Sequence, residues 1–352
     1  MTNDAEISET KVSEQNPDLK VNADSDNSSK ESSNENSNEK SNENSNEKSS
    51  ENSNENPVDN SVEPEIAFEA DALSFAYPGG SPILKNIDLK IYKGDFTIIV
   101  GLNGSGKSTF AYHLNGLLRP TSGKMKVFGK DTKERKNASA IHREVGIVFQ
   151  NPYTQFVGNT VEEDIAFGPE NLGLDREEIK TRVSGVLEAV HLKELAYQDP
   201  STLSGGEAQA AAIAGVLAMD PECIVFDEIT SMLDMAAEDR ILKLIDRLYE
   251  RGKTIVYISH NPKDLLKADR IIVFDKGEIA FDGDLSGYIA SGKYRLPDMV
   301  ELLKHLREGG VEISETISDP KAAADEILKQ IQQSNQQSGQ QSNPQSNQQS
   351  NL

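Results

Sequence analysis

The chain has 352 residues, a formal net charge of −22 and one cysteine, Cys223. That length suggests two domains or one domain with appendages, the lone thiol leaves no disulfide framework or cysteine-based zinc module, and the acidity gives a nucleic-acid partner no electrostatic support. No apolar run reaches the ~18 residues that would span a bilayer, and the N-terminus lacks the apolar core of a secretory signal, so any membrane association is expected to run through a partner.

Residues 1–65 hold 17 Asp and Glu against 5 Lys and Arg, more than half of the net negative charge. Residues 33–56 repeat a unit close to Ser-Asn-Glu-x without an apolar side chain. Such a segment cannot offset the entropy of ordering, so 1–64 reads as a disordered low-complexity tail. A four-residue period is too short for a solenoid repeat. The Gln/Ser/Asn run at the other end makes 331–352 a second disordered tail.

The middle carries the fold. Residues 66–70 and 73–77 read as two strands, closed by Pro78-Gly79-Gly80, and 84–91 alternates like a third. A strand at 96–100 leads into a glycine-rich loop, and a helix can start at 110–114. A turn at 119–123 precedes a strand at 124–128, and 145–150 is apolar and strand-like. Helices are expected at 177–189 and 206–218. Short buried strands at 224–226 and 254–258 flank an amphipathic helix at 236–249. Lys276-Gly277 between 271–274 and 278–281 signals a hairpin. Helices at 298–307 and 322–331 close the sequence. Alternating strands and helices predict an α/β fold with a mainly parallel sheet. An N-terminal antiparallel β piece and a helical insert at about 155–215 accompany it.

Three motifs carry chemistry. Residues Gly101, Leu102, Asn103, Gly104, Ser105, Gly106, Lys107, Ser108 and Thr109 fit G-x-x-x-x-G-K-[ST], whose backbone N–H groups and helix start cradle nucleotide phosphates. Lys107 would reach the outer phosphates and the Ser108 hydroxyl would ligate Mg²⁺. Residues 223–228 form an apolar strand that ends in Asp227, suited to holding Mg²⁺, and Glu228, suited to polarising water as general base. Alone, such a strand end is often two solvated acids; downstream of a phosphate loop it acquires a role. Ser204, Gly205, Gly206 and Glu207 open a helix whose free N–H groups suit an anion. The same residues also read as a capping box, and the two readings are compatible.

These motifs, with Gln150, Ser231-Met232-Leu233-Asp234 and His260, occur in the order found in ABC ATPases, and the sequence from 66 to 284 resembles that family. The resemblance implies a P-loop NTPase fold of the ABC type, with an ATPase domain at 65–292 and a helical extension at 293–330. It implies two ATPase domains paired head to tail, each ATP lying between one phosphate loop and the partner's Ser204-Gly205-Gly206 helix. By resemblance, Gln150 senses Mg²⁺ and the attacking water, His260 contacts the γ-phosphate, Asp234 links the two sites and Tyr77 stacks on adenine.

The segments 145–152, 155–158, 160–168, 170–171, 213–219 and 230–234 resemble, more narrowly, the ATPase subunits of energy-coupling-factor (ECF) transporters, including the cobalt-transport type. The implied partners are a second ATPase subunit, identical or a sibling, a transmembrane coupling subunit and a substrate-capturing membrane subunit. The implied location is the cytoplasmic face of the membrane, and Gln155, Phe156 and Val157 fall where the coupling partner docks. Three residues depart from the family pattern: Glu207 in place of Gln, Ala210 in place of Arg, and Ile229 in place of Pro or Ala. They leave open a regulatory subunit that binds ATP with low turnover. A non-transport ABC ATPase is the remaining alternative, although the ~95 residues between loop and signature contain no long heptad run.

Overall fold

The computed structural model describes residues 64–309, 322 and 324–330. Apart from Pro64, the two tails expected to be disordered lie outside those residues. Among the described residues the strands form two sheets. In the first, β1 (Ile66–Phe75) pairs antiparallel with β2 (Leu84–Tyr92) and with β4 (Ser122–Val127), which carries the short β5 (Lys130–Asp131). The two strands expected over 66–77 are one. Ala72 takes a left-handed φ of 46°, the register slips between Ala70 and Leu73, and this bulge absorbs the irregular pattern. The strand ends at Phe75, so Tyr77 sits beyond it.

The second sheet contains β3 (Phe96–Gly101), β6 (Val145–Val148), β7 (Cys223–Asp227), β8 (Thr254–Ile258), β9 (Arg270–Asp275) and β10 (Glu278–Gly283), in the order β10-β9-β3-β8-β7-β6. All neighbours run parallel except the β9–β10 hairpin. The helices are α1 (Lys107–Leu114), α2 (Ala138–Glu144), α3 (Val161–Asn171), α4 (Arg176–Ala189), α5 (Gly205–Ala218), α6 (Met235–Glu250), α7 (Leu285–Ser291) and α8 (Asp298–Glu308). Helix α1 begins inside the glycine loop, three residues before the expected start at 110, because Gly106 serves as its cap. Strand β6 stops at Val148, two residues short of the expected end. Residues 324–330 are helical, and Ile327 packs on Leu303 of α8.

Parallel strands buried on both faces read as continuous apolar runs, and alternate residues feed two cores. Ile99, Ile147, Val225, Val256 and Ile272 pack with the antiparallel sheet and with Phe110 and Leu114 of α1. Ile98, Val148, Ile224, Phe226, Tyr257 and Val273 pack against α3, α4, α5 and α6. The β9–β10 turn ties the sheets together. Gly277 accepts from the Lys85 N–H at 2.8 Å and donates its own N–H to the Ser105 carbonyl at 3.0 Å. Arg270 grips Asp282 with two bonds of 2.6 Å and donates to the Lys90 carbonyl on β2.

Gly277 has φ +85°, and a Cβ there would lie 2.1 Å from the Ile83 carbonyl oxygen. Gly277→Ala should therefore lower the unfolding free energy by at least about 2 kcal/mol, read as a fall in urea midpoint at unchanged slope.

Candidate functional site

The C-terminal ends of parallel strands form the crevice where α/β sheets place ligands. Here β3 runs into the glycine loop, β6 into Gln150, β7 into Asp227 and Glu228, and β8 into His260. The loop needs its glycines for their positive φ and for the space a Cβ would take. Gly101 has φ +151°, and a Cβ there would meet the Phe274 carbonyl oxygen at 2.2 Å; Gly106 has φ +109°, and a Cβ there would lie 2.8 Å from Leu84 Cδ2. Gly106 caps α1 without a side-chain bond, so no side chain takes up the first N–H groups of the helix. Asn103 and Gly104 lie exposed on the loop. Among the described residues, the buried Ser105 hydroxyl has no hydrogen-bond partner.

Lys107 is buried, and its ammonium donates to the carbonyls of Gly101 at 3.0 Å and Leu102 at 3.3 Å. It also lies 3.4 Å from Oε1 of Glu228. Ser108 Oγ donates to Asp227 Oδ1 at 3.0 Å. Burial pushes the Asp227 carboxyl up to about 6, and the neighbouring charge of Glu228 adds to the shift, while the Ser108 bond and Lys107 oppose it. Thr109 contributes its carbonyl, which pairs with the His113 ring at 2.7 Å.

Glu228 adopts a left-handed φ of 50°, held by its N–H donating to the Ile258 carbonyl at 3.1 Å. Strain of this kind in a non-glycine residue gathers at functional sites. Its Oε2 accepts from Gln150 Nε2 at 3.1 Å and lies 3.9 Å from His260 Nδ1. Gln150 also reaches Ser231 Oγ at 3.4 Å. The fold thus gathers Lys107, Ser108, Gln150, Asp227, Glu228 and His260 within one chain. Tyr77 lies half-exposed, edge-on to Phe75 with ring centroids 4.9 Å apart.

Ser204 is the cap of α5, followed by Gly205 and Gly206. The capping box is complete. Glu207 N–H donates to Ser204 Oγ, and one Glu207 oxygen accepts the Ser204 hydroxyl at 2.6 Å and its N–H at 2.9 Å. Those bonds hold the Glu207 carboxyl below its ordinary range. No hydrogen bond or ion pair among the described residues joins Ser204, Gly205 or Gly206 to the loop of the same chain. Asp234 caps α6 by accepting from the N–H groups of Ala236 and Ala237. Ile229 and Ala210 are buried.

Sequence reasoning did not single out two contributors. Burial, and next the nearby charge of Asp227, push the Tyr112 phenol up, which places Tyr112 beside that carboxylate. It stands four residues after Ser108 on α1, a spacing that puts both on one helix face. Gly277 read only as a hairpin turn, although its N–H fixes Ser105. The assembled groups can bind a polyphosphate with a hard cation beside it, and can hold a water against a carboxylate.

A family model described as "ABC transporter" matches residues 84–231. The chain is 49% identical over 263 residues to the energy-coupling factor transporter ATP-binding protein EcfA of Methanosarcina acetivorans, covering 73% of this chain and 96% of the relative. It is 43% identical over 251 residues to the cobalt import ATP-binding protein CbiO of Syntrophus aciditrophicus, covering 70% and 90%. Among solved structures it resembles cbiO1 of Clostridium perfringens, part of the ABC transporter complex cbiONQ, with TM-score 0.60, 30% identity and coverage of 69% and 99%. It also resembles a dimeric ATP-binding cassette in a post-hydrolysis state bound to ADP and Pi, with TM-score 0.58, 30% identity and coverage of 62% and 98%.

The raised Asp227 carboxyl sets a pH-dependent stability. Its ionised form is disfavoured in the folded state, so it destabilises the ligand-free protein above about pH 6, and the penalty fades as pH falls towards the ordinary carboxylate value. Asp227→Asn should therefore raise ligand-free stability at pH 8 by up to about 3 kcal/mol, with the gain shrinking at pH 5, in urea titrations at both pH values.

Proposed function

Because this chain belongs to the ATP-binding proteins of ABC transporters, in the energy-coupling factor group, we propose that it powers uptake of a micronutrient, a vitamin or a transition metal ion. It is an ATPase, converting ATP and water to ADP and phosphate. The cargo follows from the kinship: one relative is named for energy coupling and another for cobalt import.

The observation that carries the mechanism is the division of the site. The loop, Lys107, Asp227 and Glu228 converge in one chain, while among the described residues the α5 start at Ser204 makes no hydrogen bond or ion pair with them. A second ATPase subunit, another copy or a sibling, supplies the missing half. Lys107 and the N–H groups of the loop hold the outer phosphates and offset the charge that builds in phosphoryl transfer. Ser108, Asp227 and Gln150 offer hard oxygen donors beside the phosphate cradle, and the buried, costly charge of Asp227 suits a cation there. Bound Mg²⁺ would offset negative charge on the outer phosphates. Glu228 is the general base, oriented by Gln150 and by its own strained backbone. His260, on the open side of Glu228, meets the γ-phosphate, and Tyr77 offers its exposed ring to adenine.

We assign the ATPase module to 65–292 and a helical extension to 293–330. None of the described helices is long and apolar enough to cross a membrane. A transmembrane coupling subunit and a substrate-capturing membrane subunit therefore bring the protein to the cytoplasmic face, with the coupling subunit docking near Gln155, Phe156 and the exposed Val157. A low-turnover regulatory subunit is the second reading, favoured by the Glu207 carboxylate on Ser204.

Glu228→Gln should slow hydrolysis by about 10² or more while ATP affinity is kept, in single-turnover assays with the ATPase partner present. Near-normal turnover would remove Glu228 from the chemistry. Lys107→Ala should abolish ATP binding in calorimetry.

A further inference from the structure

Ser204 has one hydroxyl proton, and Glu207 already takes it at 2.6 Å, with the Ser204 N–H shared to the same oxygen at 2.9 Å. In the dimer proposed above, that hydroxyl must face the terminal phosphate of the partner's ATP. A carboxylate and a phosphate cannot both accept the same proton, and at contact distance they repel. Glu207 therefore has to leave Ser204 for the site to close.

The fold provides somewhere to go. Glu207 lines a groove of about 450 Å³ between the end of α4, the start of α5 and α6, with Ala210, Ile241 and Leu244 as apolar walls. Across it on α6 stands Arg240. Among the described residues Arg240 has neither a hydrogen bond nor an ion pair, and its charge already acts on Glu207. Lys243, Arg247 and His191 are the other charged or titratable groups of the lining, and Glu207 is its one acid. Lys243 is engaged by Asp239 at 2.7 Å. Gly206, Ala210 and Ala237 line the same groove, so its wall around Glu207 carries little side-chain bulk.

We propose that Glu207 is a two-position positioning residue, capping Ser204 in the open subunit and moving onto Arg240 when the partner's phosphate takes the Ser204 hydroxyl. The inference rests on the head-to-tail dimer. Closure then exchanges one charge-assisted bond for another, and Arg240 keeps the displaced acid away from the phosphate.

The test is a double-mutant cycle in the full chain, assembled with its ATPase partner, reading kcat and KM for ATP together with ATP affinity of the isolated subunit. Arg240→Gln should lower kcat/KM about tenfold, the weight of one charge-assisted bond, without changing the isolated subunit's ATP affinity. Glu207→Gln should be at least as active as the parent chain, and in that background Arg240→Gln should have no further effect. Equal losses from Arg240→Gln in both backgrounds, or no loss in either, would overturn the switch. A parent chain that neither hydrolyses ATP nor assembles with an ATPase subunit would sink the dimer reading and this proposal with it, and that result is visible before any variant is made.

Discussion

One buried ammonium organises the site. Two adjacent carboxylates, Asp227 and Glu228, end the same strand, and burial already strains one of them. Lys107 reaches across from the loop after β3, two strands away, and meets Glu228 at 3.4 Å. The same ammonium holds the Gly101 and Leu102 carbonyls, so one side chain ties the loop to Glu228 while Ser108 ties its end to Asp227. Charge of one sign without the other would be costly in so enclosed a place. The loop is in turn seated by main-chain contacts that leave no room for side chains, with the Phe274 carbonyl beneath Gly101 and the Gly277 turn against Ser105.

The elements that could be read from the sequence are those whose signal is local. Strand β8 matches the expected 254–258, and the apolar run into Asp227 matches β7 to within a residue at each end, because a fully buried strand writes its burial into every position. The phosphate loop declares itself through glycines that backbone geometry demands. Non-local features stayed hidden. The bulge at Ala72 joins what looked like two strands, and it is accommodated by Gly123 on the neighbouring strand, where a Cβ would lie 2.1 Å from the Ala72 carbonyl oxygen. Tyr112 looks like an ordinary helix residue until α1 lies over the end of β7. Helix α2 and helix α7 are seven residues each, too short for a periodic pattern to stand out.

The antiparallel sheet has a different task from the parallel one. It shares a core with the face of the parallel sheet that carries α1, and its β1 strand leads out to Tyr77. Arg270 links the sheets through Asp282 and the Lys90 carbonyl. The piece that would hold the base is thereby fixed relative to the piece that holds the phosphates. The position of Glu207 shows the opposite economy, since a helix cap that stabilises α5 in isolation occupies the donor that closure needs.

The phenol of Tyr153 donates to the carbonyl of Leu203 at 2.8 Å, one residue before Ser204. Three residues earlier in the same span, Gln150 holds Glu228. A membrane subunit leaning on this stretch would thus tug two levers together. One is the carboxylate that serves the subunit's own nucleotide, and the other is the helix tip lent to its neighbour's. The two composite pockets of a dimer would be geared to each other mechanically, and a push on one flank would be felt at both triphosphates in the same stroke.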